Sequence, residues 1–155
     1  MDQTLNILIT FISIVLLLAV VIGIHELGHF LAARKFGVHV IRFKIGFGKT
    51  LMSKFDKRGT EFSLGLLPLG GYVQMLGEDN PLQGGEGKED PSNKLTSYPE
   101  VSLGARAVIT VAGPVANFLL AIFAFFLIFL IGTKDLAPVV GYVYENSLAE
   151  EVGLE

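Results

Sequence analysis

The sequence predicts an α-helical polytopic membrane protein, two spans in this chain, with a β-hairpin or sheet element between them. Three observations predict it. Leu5 to Ile24 is an almost uninterrupted apolar run, long enough to cross a bilayer core of roughly 30 Å at about 1.5 Å per residue. Val108 to Ile131 carries no charged side chain at all. Between these blocks the chain is polar and basic, with short alternating stretches bounded by glycine and proline.

The totals narrow the chemistry. The chain has 155 residues, 51% of them hydrophobic, and a formal charge of −3. That is about one domain's worth of length. No basic face is available for phosphate backbones, so nucleic acid is excluded as a partner. There is no cysteine, which excludes disulfides and thiolate-bound zinc. A metal here must use histidine and carboxylate.

The first unit, residues 1–35, reads as a retained transmembrane helix. A signal peptide has a basic start and a shorter apolar core. This chain starts Met1-Asp2-Gln3, has no Lys or Arg before Arg34, and continues its apolar run through Phe30-Leu31-Ala32-Ala33. Arg34 and Lys35 end the run. Arg42, Lys44, Lys49, Lys54, Lys57 and Arg58 follow, against the single acid Asp56. The positive-inside bias puts the loop 34–104 in the cytoplasm and the N-terminus outside.

Residues 36–77 read as the β-element. Val38 to Ile45 alternates as a strand, Gly46-Phe47-Gly48 as a turn, and Asp56-Lys57-Arg58-Gly59 as a hairpin tip. Thr60 to Leu67 returns as a second strand. Pro68-Leu69-Gly70-Gly71 suits an edge or a bend, and Tyr72 to Leu76 is a third short strand. Residues 78–104, with Pro81, Pro91, Pro99 and Gly84-Gly85-Glu86-Gly87, read as a solvated acidic loop.

Residues 105–132 form the second span and return the chain to the outer side. Pro114 lacks a backbone donor and is expected to kink this helix. In residues 133–155, Pro138 to Tyr144 reads as a strand, and Ser147 with Glu150 has capping-box spacing at the start of a helix. One strand and one short helix cannot bury a core. They are expected to be the truncated start of an outer soluble domain.

The chemistry lies in His25-Glu26-Leu27-Gly28-His29, near the inner end of the first span. Histidines four apart stand one turn above each other on one helix face. At that spacing two neutral imidazoles, His25 and His29, can share a tetrahedral zinc ion, with Glu26 placed to take a proton from water and pass it to a leaving amine. Three ionisable side chains within an apolar helix are expensive in lipid and mark function. Gly28 lowers helix propensity by about 1 kcal/mol relative to Ala, which points to close approach of another backbone. Catalytic zinc takes three protein ligands and an open position. His39 and Asp56 are the nearest further candidates, but both fall in the strand-and-turn region, so the third ligand is expected outside this chain.

At these residues the chain resembles the site-two-type intramembrane zinc metalloproteases. Four blocks carry the resemblance: the pentapeptide; Arg42-Phe43-Lys44-Ile45-Gly46-Phe47-Gly48; Pro68-Leu69-Gly70-Gly71-Tyr72-Val73; and Ala112-Gly113-Pro114-Val115-Ala116-Asn117-Phe118. It implies a Zn²⁺ endopeptidase in a bacterial inner membrane. Such an enzyme cuts the transmembrane segments of single-span substrates, such as anti-sigma factors and signal-peptide remnants. It also implies that residues 133–155 begin an extracytoplasmic PDZ-like domain, and that the third zinc ligand is an Asp in a later membrane helix. This stretch by itself is then expected to be inactive. The resemblance implies that the β-element is membrane-associated; an edge strand carrying Phe62, Leu64, Gly70, Gly71 and Tyr72 could bind an unwound substrate there by strand addition. The resemblance further implies a substrate contact at Asn117.

Two other classes fit parts of the sequence. A membrane adaptor would present a PDZ-like module without catalysis, and its histidines would only pack. A metal carrier would line a path with His25 and His29. Neither needs Glu26; the adaptor also predicts no bound zinc, and the carrier gives the β-element no role.

Overall fold

The computed structural model describes residues 3–78, 95–132, 148–151 and 153. Its elements are α1 (Gln3–Lys35), β1 (Val40–Phe55), β2 (Glu61–Met75), a single 3₁₀ turn (Tyr98–Glu100), α2 (Leu103–Ile131) and α3 (Leu148–Glu151). Both α1 and α2 are long and apolar enough to cross a membrane. Their apolar side chains point outward: Ile7, Phe11, Leu16 and Leu17 on α1, and Phe118, Phe125 and Phe129 on α2, are all exposed. Continuous apolar exteriors of this kind are suited to hydrocarbon rather than water.

Two local signals set the helix ends. Gly37 adopts φ +79°, the left-handed conformation that glycine accepts at a helix C-terminus. Val38 N–H then donates to the Ala33 carbonyl at 2.9 Å and Gly37 N–H to the Arg34 carbonyl at 3.3 Å. This paired closure satisfies two terminal carbonyls and turns the chain into β1. At the other helix, Ser102 Oγ accepts from Ala105 N–H at 3.2 Å, an N-cap. This cap starts α2 at Leu103, slightly before the expected boundary. The expected kink at Pro114 does not end the helix, which runs as one element to Ile131.

The sheet differs from expectation in continuity. β1 and β2 form an antiparallel two-stranded sheet. β1 runs on through Gly46-Phe47-Gly48, and β2 runs on through Pro68-Leu69-Gly70-Gly71. The register shifts across these segments, so they act as bulges that bend the strands without ending the pairing. The bend places the first half of β1 between the two halves of β2. Phe43 faces Val73 on one side and Phe62 on the other, and Lys44 faces Tyr72 and Ser63.

The sheet packs on the C-terminal end of α1. Phe30 and Ala33 of α1, Val38, Val40 and Phe43, Val73 and Met75 of β2, and Ile109 of α2 form the core. Phe30, Phe43 and Phe62 stack mutually with centroids 5.3–5.4 Å apart, contacts worth about 0.5–1.5 kcal/mol each beyond burial. Part of the expected loop is also fixed to this core. Thr96 bridges Val38, and Tyr98 N–H donates to the Leu76 carbonyl at 2.7 Å. Residues 79–94 of that loop, and the expected strand Pro138 to Tyr144, lie outside the described residues. The helix expected after Ser147 is present as α3.

Candidate metal centre

α1 and α2 approach at glycines. A Cβ on Gly28 would collide with the Ala112 carbonyl oxygen and lie 2.8 Å from Ala116 Cβ. The close backbone expected from the sequence is therefore that of α2. A Cβ on Gly113 would collide with His29 Nε2 and lie 2.7 Å from its Cε1. The His29 ring thus occupies the space that a side chain at 113 would fill.

This seat fixes the histidine chemistry. His29 Nδ1 lies 2.8 Å from the Ile109 carbonyl oxygen. A carbonyl only accepts, so Nδ1 carries the proton and donates, and Nε2 is left with its lone pair. Next along α2, Pro114 supplies no N–H to the Thr110 carbonyl, which loosens backbone pairing in this turn. His25 Nε2 lies 3.2 Å from His29 Nε2, and the rings meet edge to face with centroids 4.8 Å apart. Two nitrogens bound at 2.0–2.1 Å to one tetrahedral zinc ion would be about 3.3 Å apart. The separation of the pair matches that of two nitrogens sharing one zinc ion.

Asn117 holds the other side of His25. Its amide nitrogen lies 3.2 Å from His25 Nδ1, while its amide oxygen is buried with no hydrogen-bond partner. The two ends of an amide exchange by a half-turn. With the oxygen on His25, Nδ1–H donates to it and Nε2 is free for metal. Both ring orientations are then set by α2: one by a backbone carbonyl, one by a side chain.

Glu26 faces the sheet. A Cβ on Gly71 would lie 3.0 Å from Glu26 Cγ, 3.3 Å from Ile22 Cγ2 and 2.8 Å from the Lys44 carbonyl oxygen. A cavity of about 170 Å³ opens here between Glu26, His29, Val73, Glu78, Tyr98 and Thr110. Burial in it raises the Glu78 carboxyl above the ordinary carboxylate range. Among the described residues, no third histidine or carboxylate joins His25 and His29 at ligand distance.

The structure thus assembles His25, Glu26, His29, Gly71 and Asn117, and leaves the other sequence candidates elsewhere. Phe62 sits in the aromatic core, Leu64 is exposed, and the Gly70 backbone lies beneath the Phe47 ring. Tyr72 OH accepts from Arg42, which is ion-paired with Glu61 at 2.8 Å. His39 lies in the connection to β1, and Asp56 is paired with Arg34. Sequence reasoning missed the Ile109 carbonyl, since backbone atoms leave no residue signature. It also missed Gly113 as the His29 seat, although Gly113-Pro114 marked an irregular place in an apolar helix.

Comparison with known proteins assigns the chain to a family. The model of peptidase family M50 matches residues 13–152. The regulator of sigma-E protease RseP of Escherichia coli is 48% identical over 90% of this chain and 30% of its own length. A Pasteurella multocida protein named as a zinc metalloprotease is 42% identical over 94% of this chain and 32% of its own. A Vibrio cholerae protein similarly named is 40% identical over 97% of this chain and 32% of its own. The chain therefore spans about a third of the length of these relatives. With the family model covering nearly its whole length, the chain belongs to peptidase family M50.

Proposed function

We propose that this chain supplies two zinc ligands and the catalytic base of an intramembrane metalloendopeptidase. The observation that carries the proposal is the 3.2 Å separation of the His25 and His29 Nε2 atoms, each ring anchored through its other nitrogen. His25 and His29 hold zinc; the third ligand is an Asp in a later membrane helix beyond this chain. When bound, the zinc ion supplies a Lewis acid that acidifies water and polarises a carbonyl. Glu26 takes the proton of the attacking water and delivers it to the leaving amide nitrogen.

The helices α1 and α2 cross a bacterial inner membrane, with the sheet on its cytoplasmic side and residues 133–155 opening an extracytoplasmic PDZ-like domain. The substrate is a single-span membrane protein. Its helix must unwind to expose a peptide carbonyl, and the Gly71–Met75 stretch of β2 borders the cavity beside Glu26. An extended substrate segment adds to β2 there. The test is cleavage of a model single-span substrate by the full-length protein in proteoliposomes. Cleavage lost to a zinc chelator and restored by zinc supports the proposal; chelator-resistant cleavage contradicts it.

A further inference from the structure

A second polar cavity lies at the inner end of α1, away from the histidines. It encloses about 170 Å³, room for about five waters. Arg34 from the last turn of α1, His39 from the entry to β1, and Arg58 from the β1–β2 turn all line it, with Thr60, Leu95 and Thr96. The α1–β1 connection and the later β1–β2 turn thus bring two guanidinium groups and one imidazole to one space.

Asp56 organises this convergence. One carboxylate oxygen pairs with Arg34. The other accepts from Arg58 N–H and Thr60 N–H, both at 2.9 Å. These bonds hold the Asp56 carboxyl below the ordinary carboxylate range, chiefly through Arg34. The aspartate is thereby consumed in fixing the turn that brings Arg58 to the same cavity as Arg34. Asp56 is not among the residues lining the cavity; its charge offsets that of Arg34, which leaves Arg58 as the net cation of the lining. Thr60 Oγ1 donates to the Val40 carbonyl at 2.6 Å, and Thr60 is 1% exposed, so the floor is rigid.

Position adds a second argument. Arg34 and Lys35 close the 33-residue apolar helix, which sets this cavity at headgroup depth in any bilayer that α1 crosses. Leu95, 43% exposed, adds an apolar rim beside the charged floor. Basic clusters at this depth attract anionic lipid, and guanidinium forks match phosphate oxygens.

We propose that this cavity binds a phosphate ester, through Arg34, Arg58 and His39, with an anionic phospholipid headgroup and a free phosphate as the two possible sources. The test uses the full-length protein, delipidated in neutral detergent and titrated separately with short-chain phosphatidylglycerol, the matching diacylglycerol and inorganic phosphate. Native mass spectrometry reads the bound species. Wild type is expected to retain one phosphatidylglycerol and no diacylglycerol. Arg58→Gln combined with His39→Gln is expected to weaken retention at least tenfold. Arg58 is exposed at a turn and its partner contact is backbone, so the fold survives, as an unchanged melting temperature would verify. Lys54→Gln, outside the cavity, is expected to change nothing. Inorganic phosphate bound in place of the lipid supports the phosphate site and assigns the free source. Equal retention by the double variant, or equal retention of diacylglycerol, overturns the proposal.

Discussion

His29 Nδ1 donates to the backbone carbonyl of Ile109, 80 residues away in the chain, at 2.8 Å. This bond joins the two apolar helices at the candidate metal centre and sets the tautomer of one candidate ligand. Because a helix carbonyl does the work, the arrangement depends on the backbone path of α2 and on the absence of a side chain at Gly113.

Gly113→Ala places a methyl group where the His29 ring lies. The ring must leave its seat and give up the Ile109 carbonyl. Zinc affinity of the full-length protein is expected to fall about 10–100-fold, the range for losing a group that orients a metal-bound histidine. Chelator competition measures it. Wild-type affinity in this variant would remove Ile109 from the account.

Asn117→Leu removes the acceptor for His25 Nδ1–H, whereas Asn117→Asp keeps one. Zinc affinity should drop about 10–100-fold in the first and stay near wild type in the second. A residue that contacts only substrate would alter KM in both variants and zinc affinity in neither.

Gly71→Val sets a branched side chain against Glu26 Cγ and the Lys44 carbonyl. Cleavage is expected to fall at least about tenfold, corresponding to about 1.4 kcal/mol of barrier, with zinc content unchanged. Loss of zinc along with activity would show that the strand supports the metal site rather than the substrate path.

Asp56 governs the acid response of the sheet. Its carboxyl is held below the ordinary range by Arg34. A depressed folded-state pKa gives stability that is present above the unfolded value of about 4 and lost as pH falls toward the folded value. Thermal unfolding midpoints of wild type should therefore decline below about pH 4 more steeply than those of Asp56→Asn. Parallel declines would contradict this role.

Much of this architecture was legible in the residues, and the limits were physical. The two long apolar helices followed from apolar length, which composition reports directly. His25, Glu26 and His29 followed from helical period. Gly28 was legible as a close-packing position because a glycine within a helix needs a reason; its partner, Ala112, was not, since which helix approaches is a tertiary fact. The sheet was read as three strands because glycine and proline usually interrupt pairing. Here Gly46, Gly48 and Gly70-Gly71 bend two long strands, and the lateral pairing of Phe43 with both Val73 and Phe62 offsets the local penalty. The packing of the Phe30 ring against Phe62 could not be inferred from alternation along a strand.

The most direct measurement of the central claim compares wild type with Glu26→Gln in the full-length protein, on one model single-span substrate in proteoliposomes, with zinc content determined for both. Glutamine keeps the size of the side chain but cannot accept the proton of the attacking water. Both proteins are expected to bind zinc, and the variant to lose cleavage by at least about 100-fold, the lower range for removing a general base. Equal cleavage by the two proteins would contradict the account.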